Sequence, residues 1–427
     1  DDIYIAIRDA NNVIHNVPAI EMDESLKSRI LGEARFLRGL HYFNLVRCWG
    51  QVPLRTVPVT PGDEDGLPVS PIEDIYQVVI QDFKYAAEHC WGRGETRGNY
   101  TNELGRATQA AAQGMLARAY INIAASARSA SQGVEGCAPY QDYVPDYMAY
   151  YDSALMYSEL ALEQPGYELV SNLEAWQAIF APDNGNNPEM MFEVQGSSAT
   201  GQGTAISNLY SPKNSGLAGG GWGGTNKLIT GFIQNNVDSS DVRLTSTLIH
   251  EYQTSKYRYE LLEQLNGYDR YTLDGTFDKK QWNIIYTNKY IDPNATTEYT
   301  SQQNYHVLRL ADVYLMRAEA LAEVNQDPAL ADADIERLRT RVGDTARFEG
   351  ASMSMEQFRN ALLRERAAEL YMEGVRFFDI TRMGKYEELA ETAFNWNGNF
   401  PEQGERDAND YSWPIPITET SANKNIE

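Results

Sequence analysis

A regular helical spacing of apolar side chains in residues 307–322 limits the architectures open to this chain of 427 residues. The spaced positions are Val307, Leu310, Ala311, Tyr314, Leu315, Ala318, Leu321 and Ala322. The pattern predicts an amphipathic helix in which Ala318 and Leu321 face a partner helix. Pro328 would end this helix, and residues 331–342 would supply its partner. The first expectation is therefore a helical hairpin.

Helical periodicity marks several other segments of the chain. Residues 21–48 and 74–90 form one expected hairpin, and residues 105–127 and 147–163 form another. Residues 355–372 begin a further pair. We predict a mainly α-helical fold with about four hairpins, similar to a tetratricopeptide superhelix, and with long irregular insertions that contain a few short strands.

The chain is expected to be a single domain, residues 1–427, made of segments with different patterns. Residues 1–164 and 306–386 would form the helical platform. Residues 165–305 hold Gly- and Asn-rich clusters and short extended runs, which predict a loop-rich insertion that binds the ligand. Residues 387–427 would form a C-terminal segment.

The chain is acidic, with 36 Lys and Arg residues, 60 Asp and Glu residues and a formal net charge of −24. This charge repels phosphate backbones, so nucleic acid is not an expected partner. The chain also has 27 Tyr and 7 Trp residues, many of them in Gly-, Asn- and Asp-rich stretches. This combination favours a neutral, hydroxyl-rich ligand.

No stretch approaches the roughly 20 consecutive apolar residues that a membrane-spanning helix needs. The sequence opens on a helical pattern, without an initiator Met or a signal peptide. We therefore expect an N-terminal segment upstream of residue 1, and any lipid anchor would lie there.

Neither a metal nor a cofactor is expected from the sequence. The three Cys residues form no CxxC pair, and the five His residues are scattered singly. Residues 183–189 offer several carboxylate and amide oxygens that could hold calcium, but their spacing lacks the EF-hand pattern. Turn formation by Asn and Asp explains these residues better.

A row of carboxylates at Glu365, Glu369 and Glu373 is the most tempting catalytic feature, because the spacing places all three on one helix face. Paired carboxylates are what a glycosidase needs. However, Arg364, Arg366, Arg376 and Arg382 are interleaved with them, and Arg35 and Arg38 lie on an earlier helix. The row is better interpreted as ion pairs between helices, since adjacent Arg residues would lower the pKa of both carboxyls.

Five residues are the predicted ligand contacts: Trp222, Asn226, Trp282, Tyr286 and Trp396. Trp222 lies in the Gly-rich run GLAGGGWGGTN, where a flat ring could cover the C–H face of a sugar. Alternatively, the ring could fold back onto the platform. Trp396 lies in a second loop rich in Asn and Gly, and Asn226 offers an amide for hydrogen bonds.

Five collinear segments resemble the SusD/RagB family. They are LGEARFLRGLHYFNLVRCWGQVPL at 31–54, GWGGTNKLITGFIQNNVDSSDVR at 221–243, HVLRLADVYLMRAEALAEVN at 306–325, LLRERAAELYMEGVRFFDITRMGKY at 362–386 and YSWPIPITE at 411–419. The resemblance implies a helical protein with four tetratricopeptide-like pairs. It also implies a lipid-anchored protein on the outer surface of a Bacteroidetes-type outer membrane, above a TonB-dependent transporter.

The resemblance further implies a surface subunit that binds an oligosaccharide or polysaccharide without catalysis and delivers it to a SusC-like transporter. It favours a ligand-facing Trp222. Two alternatives remain open, an α-helical glycoside hydrolase and a helical-repeat scaffold that binds peptides. The identity of the glycan does not follow from the sequence, because stacking recognises sugars broadly.

Overall fold

The structure, a computed structural model, describes residues 2–60, 66–141, 143, 146–199, 201–218, 224–297, 299–394 and 407–426. Its helices are α1 (Asp2–Asn16), α2 (Glu24–Trp49), α3 (Ile72–His89), α4 (Gln109–Ser131), α5 (Tyr147–Leu162), α6 (Leu173–Ala178), α7 (Ile206–Tyr210), α8 (Thr230–Asn235), α9 (Val242–Thr245), α10 (Leu310–Asn325), α11 (Asp332–Thr340), α12 (Met355–Leu370), α13 (Arg376–Arg382), α14 (Tyr386–Phe394) and α15 (Ile417–Ala422).

The strands are short and antiparallel. They are β1 (Val52–Pro53), β2 (Val69–Ser70), β3 (Thr96–Arg97), β4 (Tyr100–Thr101), β5 (Met190–Val194), β6 (Glu251–Gln253), β7 (Tyr257–Leu261), β8 (Gly267–Thr272), β9 (Phe277–Trp282) and β10 (Tyr305–Arg309). Three two-stranded ladders join β1 to β2, β3 to β4 and β5 to β10, and a four-stranded sheet has the order β6-β7-β8-β9.

The helical platform consists of four antiparallel pairs, which confirms the predicted fold class. Helix α2 packs on α3, α4 on α5, α10 on α11, and α12 on α13. Helix α4 also touches α3 and α10, so it lies at the centre of the stack. Its residues are buried almost all round, which explains why small side chains dominate its sequence.

Close helix contacts depend on glycine at two positions. A methyl group on Gly114 of α4 would lie 2.6 Å from the Leu308 side chain, and one on Gly39 of α2 would lie 3.1 Å from the ring of Phe83. Larger side chains there would push the neighbouring elements apart. Gly114 thus lets β10 approach α4 closely, and Gly39 does the same for α3 and α2.

Polar side chains define the starts of the main helices. Asp23 accepts a hydrogen bond from the Leu26 amide at 2.8 Å and caps α2. Ser354 and Gln357 form a reciprocal capping box at the start of α12. Such caps satisfy backbone amides that have no partner inside the helix.

Two details of the predicted helix at 307–322 are wrong. Val307 lies in β10, because residues 305–309 pair with β5 and the helix begins only at Leu310. Leu321 is partly exposed, whereas Ala318 is fully buried as predicted. The helix instead buries three carboxylates, at Asp312, Glu319 and Glu323, so charged residues occupy part of its packed surface.

The segment between α5 and β10 contains the four-stranded sheet and short helices. The turn between β8 and β9 is formed by Asp274 and Gly275, where Asp274 Oδ1 accepts from the Thr276 amide at 3.0 Å and Gly275 has φ of 90°. An Asp-Gly pair is a common signal for such a hairpin, because glycine tolerates positive φ. The sheet therefore forms from local hairpins.

Candidate functional site

The carboxylate row of α12 and the turn after it lies inside the protein. Glu369 is fully buried and accepts hydrogen bonds from Arg309 at 2.7 Å, from Arg243 at 3.1 Å and from the indole of Trp176 at 3.0 Å. Arg341 also bonds to it at 2.5 Å. These donors compensate the negative charge of Glu369 inside the protein, so this carboxylate has a structural role.

The neighbouring members of the row are matched in the same way. Glu365 lies 2.7 Å from both Arg243 and Arg339. Glu373 lies 2.7 Å from Arg309 and 3.1 Å from Lys289. We call Glu365, Glu369 and Glu373 with Arg243, Arg309, Arg341 and Lys289 the buried ionic network.

The interpretation of the row as ion pairs is therefore confirmed, but none of the six arginines predicted as partners pairs with the row. Arg366 pairs with Asp312 and Asp379, and Arg382 pairs with Glu319 and Asp379. Arg38 pairs with Asp82 on α3, and the remaining predicted partners are also absent from the row. The true partners come from distant segments, so sequence spacing could not reveal them.

The network sets the pKa values of its carboxyls. Burial alone would raise the pKa of Glu369, but Arg341, Arg309 and Arg243 hold it well below its ordinary value. Burial likewise opposes the lowered pKa of Glu373, which Arg309 and Lys289 produce. A glycosidase acid needs a raised pKa beside an ionised partner in an open cleft. Glu369 and Glu373 are buried and have lowered pKa values, so neither meets this requirement.

Burial lowers the pKa of two basic residues, Lys289 of the network and the neighbouring His306. Burial lowers the pKa of Lys289 to about 8, although Glu373 favours its charged form. Burial lowers the pKa of His306 to about 3, although the negative charge of Glu373 favours its protonated form. Since Nε2 of His306 lies 3.3 Å from Glu193, the histidine acts as a neutral polar group in the core at neutral pH.

The four-stranded sheet has two chemically different faces, because successive side chains of a strand point to opposite sides. Tyr252, Tyr259 and Tyr268 share the inner face, where Tyr286 packs on them. The rings of Tyr252 and Tyr259 stack with centroids 4.4 Å apart. Tyr286, a predicted ligand contact, is only 6% exposed, so its ring contributes mainly to this packing.

Solvent reaches the opposite side, which we call the outer sheet face and define by Tyr271, Phe277, Lys280 and Trp282. Trp282 is 47% exposed and Phe277 is 52% exposed. Trp282 pairs with Gly267 across the ladder, so no side chain stands beside its ring on β8. Lys280 Nζ lies 5.1 Å from the indole centroid, and the rings of Tyr271 and Phe277 meet edge to face at 5.8 Å.

Asn226 lies on the segment that adjoins the inner aromatic cluster. Its amide donates to the Leu209 carbonyl at 2.9 Å, and its side chain hydrogen-bonds that of Tyr210. Leu228 then bridges to Ile285, one residue before Tyr286. The structure thus brings Asn226 and Tyr286 onto neighbouring segments, and Trp282 lies at the end of β9 that leads into them. Trp222 and Trp396 lie outside the described residues.

The oxygen-rich segment 183–189 makes turns and ion pairs. Asn187 Nδ2 donates to the Asn184 carbonyl at 3.0 Å, and Asn184 Nδ2 donates to the Ala178 carbonyl at 2.9 Å. Glu189 pairs with Arg309 at 2.9 Å and also with Arg341. The turn interpretation is confirmed. Within the described ranges, no group of three or more His, Cys, Asp and Glu side chains is arranged to hold a metal ion.

Sequence reasoning missed the remaining members of the outer sheet face. Lys280 and Phe277 lie on a strand whose alternation is blurred by two adjacent lysines and by a register shift in the β8–β9 ladder. The Asp274-Gly275 turn between two aromatic-containing runs was a usable signal for the hairpin. With the hairpin recognised, the alternation of Lys280 and Trp282 would have placed both on one face.

Comparison with known families identifies the class of protein. A family model described as "SusD family" matches residues 122–427, and a model described as "Starch-binding associating with outer membrane" matches residues 1–121. The chain belongs to the SusD family. The resemblance drawn from the five collinear segments is therefore confirmed.

Individual relatives agree with this assignment. SusD-like protein P25 of Formosa agariphila is 26% identical over 398 residues, which cover 90% of this chain and 69% of the relative. A SusD superfamily protein from Parabacteroides distasonis has the same fold, with a TM-score of 0.76 at 21% identity, covering 100% of this chain and 83% of that one. A laminarin-binding SusD-like protein matches with a TM-score of 0.68 at 24% identity, covering 100% of this chain and 84% of that one.

Among the described residues, none of the helices combines the length and the apolar character needed to cross a bilayer.

Proposed function

We propose that this chain is the glycan-capturing subunit of a nutrient-uptake system at the outer surface of an outer membrane. It binds an oligosaccharide or polysaccharide without cleaving it and passes the ligand to a SusC-like TonB-dependent transporter. Membership of the SusD family supports this proposal, as do the starch-binding description of the model that matches residues 1–121 and the laminarin binding of a protein with the same fold.

The observation that carries the proposal is the outer sheet face. Trp282 presents almost half of its surface to solvent, and the ammonium group of Lys280 lies 5.1 Å from the centroid of its ring. An exposed aromatic ring beside a cation suits the C–H face and the hydroxyls of a sugar. Trp222 and Trp396 remain predicted stacking residues, and Asn226 and Tyr286 remain predicted contributors on the segments beside the sheet.

The absence of catalysis is part of the proposal. The carboxylates that a glycosidase would use are held in the buried ionic network, where Glu369 and Glu373 keep lowered pKa values. A general acid with such a pKa would be ionised at neutral pH and could not protonate a leaving group. This arrangement favours a binding protein over the hydrolase alternative.

Function as a capture subunit requires a ligand that is released again. A single site should therefore bind with a dissociation constant on the order of micromolar to millimolar, which corresponds to about −8 to −4 kcal/mol. A lipid anchor on the outer membrane would keep the subunit next to the transporter.

A glycan panel tests the binding claim and the catalytic claim together. Purified protein is titrated with maltooligosaccharides, laminarin oligosaccharides and xylogluco-oligosaccharides by calorimetry, and the same mixtures are assayed for new reducing ends. We expect binding of at least one glycan and no release of sugar. Release that follows the protein through successive purification steps would support the hydrolase, whereas binding of extended peptides but of no glycan would support the peptide scaffold.

The transporter claim is tested in native membranes. Affinity purification in mild detergent should recover a large β-barrel protein together with this chain. Recovery of the chain only as a free monomer would contradict the proposed delivery step.

A further inference from the structure

A large cleft lies between the helical platform and the insertion, and its lining includes no residue of the four-stranded sheet. It has a volume of about 770 Å³ and runs between residues 237–242, residues 339–348 and one face of α12. Its size falls in the range of small-ligand sites. The predicted ligand contacts that the structure describes, Asn226, Trp282 and Tyr286, do not line it.

Two unpaired arginines line this cleft. Among the arginines that the structure describes, Arg347 and Arg364 alone make no hydrogen bond, ion pair or ring contact. Both side chains are exposed, and both belong to the lining of the same cleft. This is unusual in a chain with 60 acidic and 36 basic residues, where carboxylate partners are abundant.

Two of the four carboxylates in the cleft wall are neutralised from within the protein. Asp241 lies 2.6 Å and Glu365 lies 2.7 Å from the buried guanidinium of Arg243. Arg339, which also lines the cleft, lies 2.7 Å from Glu365. These four groups therefore cancel in charge, and none of them needs Arg347 or Arg364.

The other two carboxylates are held by their own turns. Asp238 accepts from the amide and the hydroxyl of Ser240 at 2.9 and 2.7 Å. Asp344 accepts from the Ala346 amide at 2.8 Å and also lies 4.0 Å from Arg339. Neither Asp238 nor Asp344 forms an ion pair with Arg347 or Arg364. The two guanidinium groups thus remain available to a ligand.

We propose that this cleft binds an anionic group, a carboxylate or a sulfate ester, on the saccharide that the protein captures. A guanidinium donates two parallel hydrogen bonds to such a group, which makes arginine the preferred partner of planar oxyanions. Small side chains at Ala361 and Ala368 on α12 leave room for a sugar ring beside the arginines. The inference rests on the proposed glycan binding and narrows it to acidic glycans.

The test compares charged sugars with a matched neutral sugar. Oligogalacturonate, its fully methyl-esterified form and a sulfated galactan oligosaccharide are titrated into the full chain by calorimetry. We expect the free uronate or the sulfated sugar to bind at least about tenfold more tightly than the ester. This preference should shrink towards about 1 M salt, where the Debye length is roughly 3 Å.

Variants then assign the effect to the cleft. Arg347→Gln combined with Arg364→Gln should weaken binding of the preferred acidic sugar about tenfold. Arg337→Gln is the matched control, because Arg337 is exposed on the same platform but does not line the cleft. It should bind as the unaltered chain does. Both variants replace exposed side chains, and an unchanged melting temperature would show that they remain folded.

Each outcome bears on the inference. Equal binding of the uronate and its methyl ester, or full acidic-sugar binding by the double variant, would overturn it. Failure of both charged sugars to bind would overturn it as well. If laminarin or maltooligosaccharides still bind in that case, glycan capture stands and only the anionic specificity is lost. If no glycan in either panel binds, the proposed function itself fails.

Discussion

The buried ionic network and the outer sheet face place charged side chains in opposite environments. In the network, Arg309 bonds to Glu189, Glu369 and Glu373 at distances of 2.7–3.0 Å and is almost completely buried. On the sheet, Lys280 and Trp282 lie on the same face with about half of each side chain in solvent.

The difference shows how burial determines whether a charged side chain can contact a ligand. A charge that is completely surrounded by partners has no capacity left for a ligand, and removing it exposes its partners to an uncompensated environment. A half-exposed aromatic ring beside a partly exposed cation keeps that capacity. The same comparison predicts which substitutions unfold the protein and which ones change its affinity.

Replacement of Arg309 by Met should have the largest effect. It leaves the buried carboxylates of Glu369 and Glu373 short of a partner, so the free energy of unfolding should fall by roughly 3–5 kcal/mol. Urea titration followed by circular dichroism measures the change. Arg337→Met, at an exposed position, should stay within about 0.5 kcal/mol of the unaltered chain. Similar losses at both positions would remove the distinction between network and surface.

Acid should weaken the protein through His306, whose folded-state pKa burial lowers to about 3. Between pH 6.5 and pH 3 the unfolded chain holds a proton on this imidazole while the folded chain does not. Stability is therefore lost as pH falls through this window, by up to about 1.4 kcal/mol per pH unit. The dependence should already be visible between pH 6.5 and pH 5, above the lowered pKa values of Glu369 and Glu373.

His306→Gln provides the control for this pH dependence. Unfolding free energies are compared at pH 5 and pH 6.5 for both proteins. The variant should show a clearly smaller decrease on acidification than the unaltered chain. An identical decrease would mean that His306 has an ordinary pKa in the folded protein.

The two sheet faces can be compared by removing one tyrosine hydroxyl group from each. Tyr268 is fully buried, and its hydroxyl donates to the Ile249 carbonyl at 2.8 Å and accepts from the Tyr286 amide at 3.1 Å. Tyr268→Phe leaves both groups unpaired, so stability should fall by about 1–3 kcal/mol. Tyr271→Phe, three residues later and on the outer face, should change stability by less than about 0.5 kcal/mol. Equal effects would contradict the assignment of the faces.

Much of the fold could be predicted from the sequence because helix formation is encoded locally. The segments 74–90 and 147–163 correspond closely to α3 and α5, since their apolar spacing and end signals lie within the segment itself. The start of the helix predicted at residues 307–322 is wrong at Val307. There a long-range ladder with Met190–Val194 overrides the local helical period, and the neighbouring sequence does not indicate that pairing.

The site could be predicted less completely, for a physical reason. Trp282 and Tyr286 were both predicted from aromatic residues in polar stretches, but Trp282 is half-exposed whereas Tyr286 is buried against three other tyrosines. Ion-pair partners such as Arg243 and Glu369 are separated by 126 residues in the chain. Burial and pairing of this kind depend on the assembled fold, so composition and spacing cannot determine them.

The smallest predicted change tests the central claim most directly. Trp282→Ala should weaken binding of the captured glycan about threefold to tenfold, since a stacked aromatic contributes roughly 0.5–1.5 kcal/mol beyond its buried area. Melting temperature and affinity are measured on the same preparation, with the glycan identified in the panel. We predict a nearly unchanged melting temperature together with the weaker affinity. Lost stability with unchanged affinity per folded molecule would contradict the account.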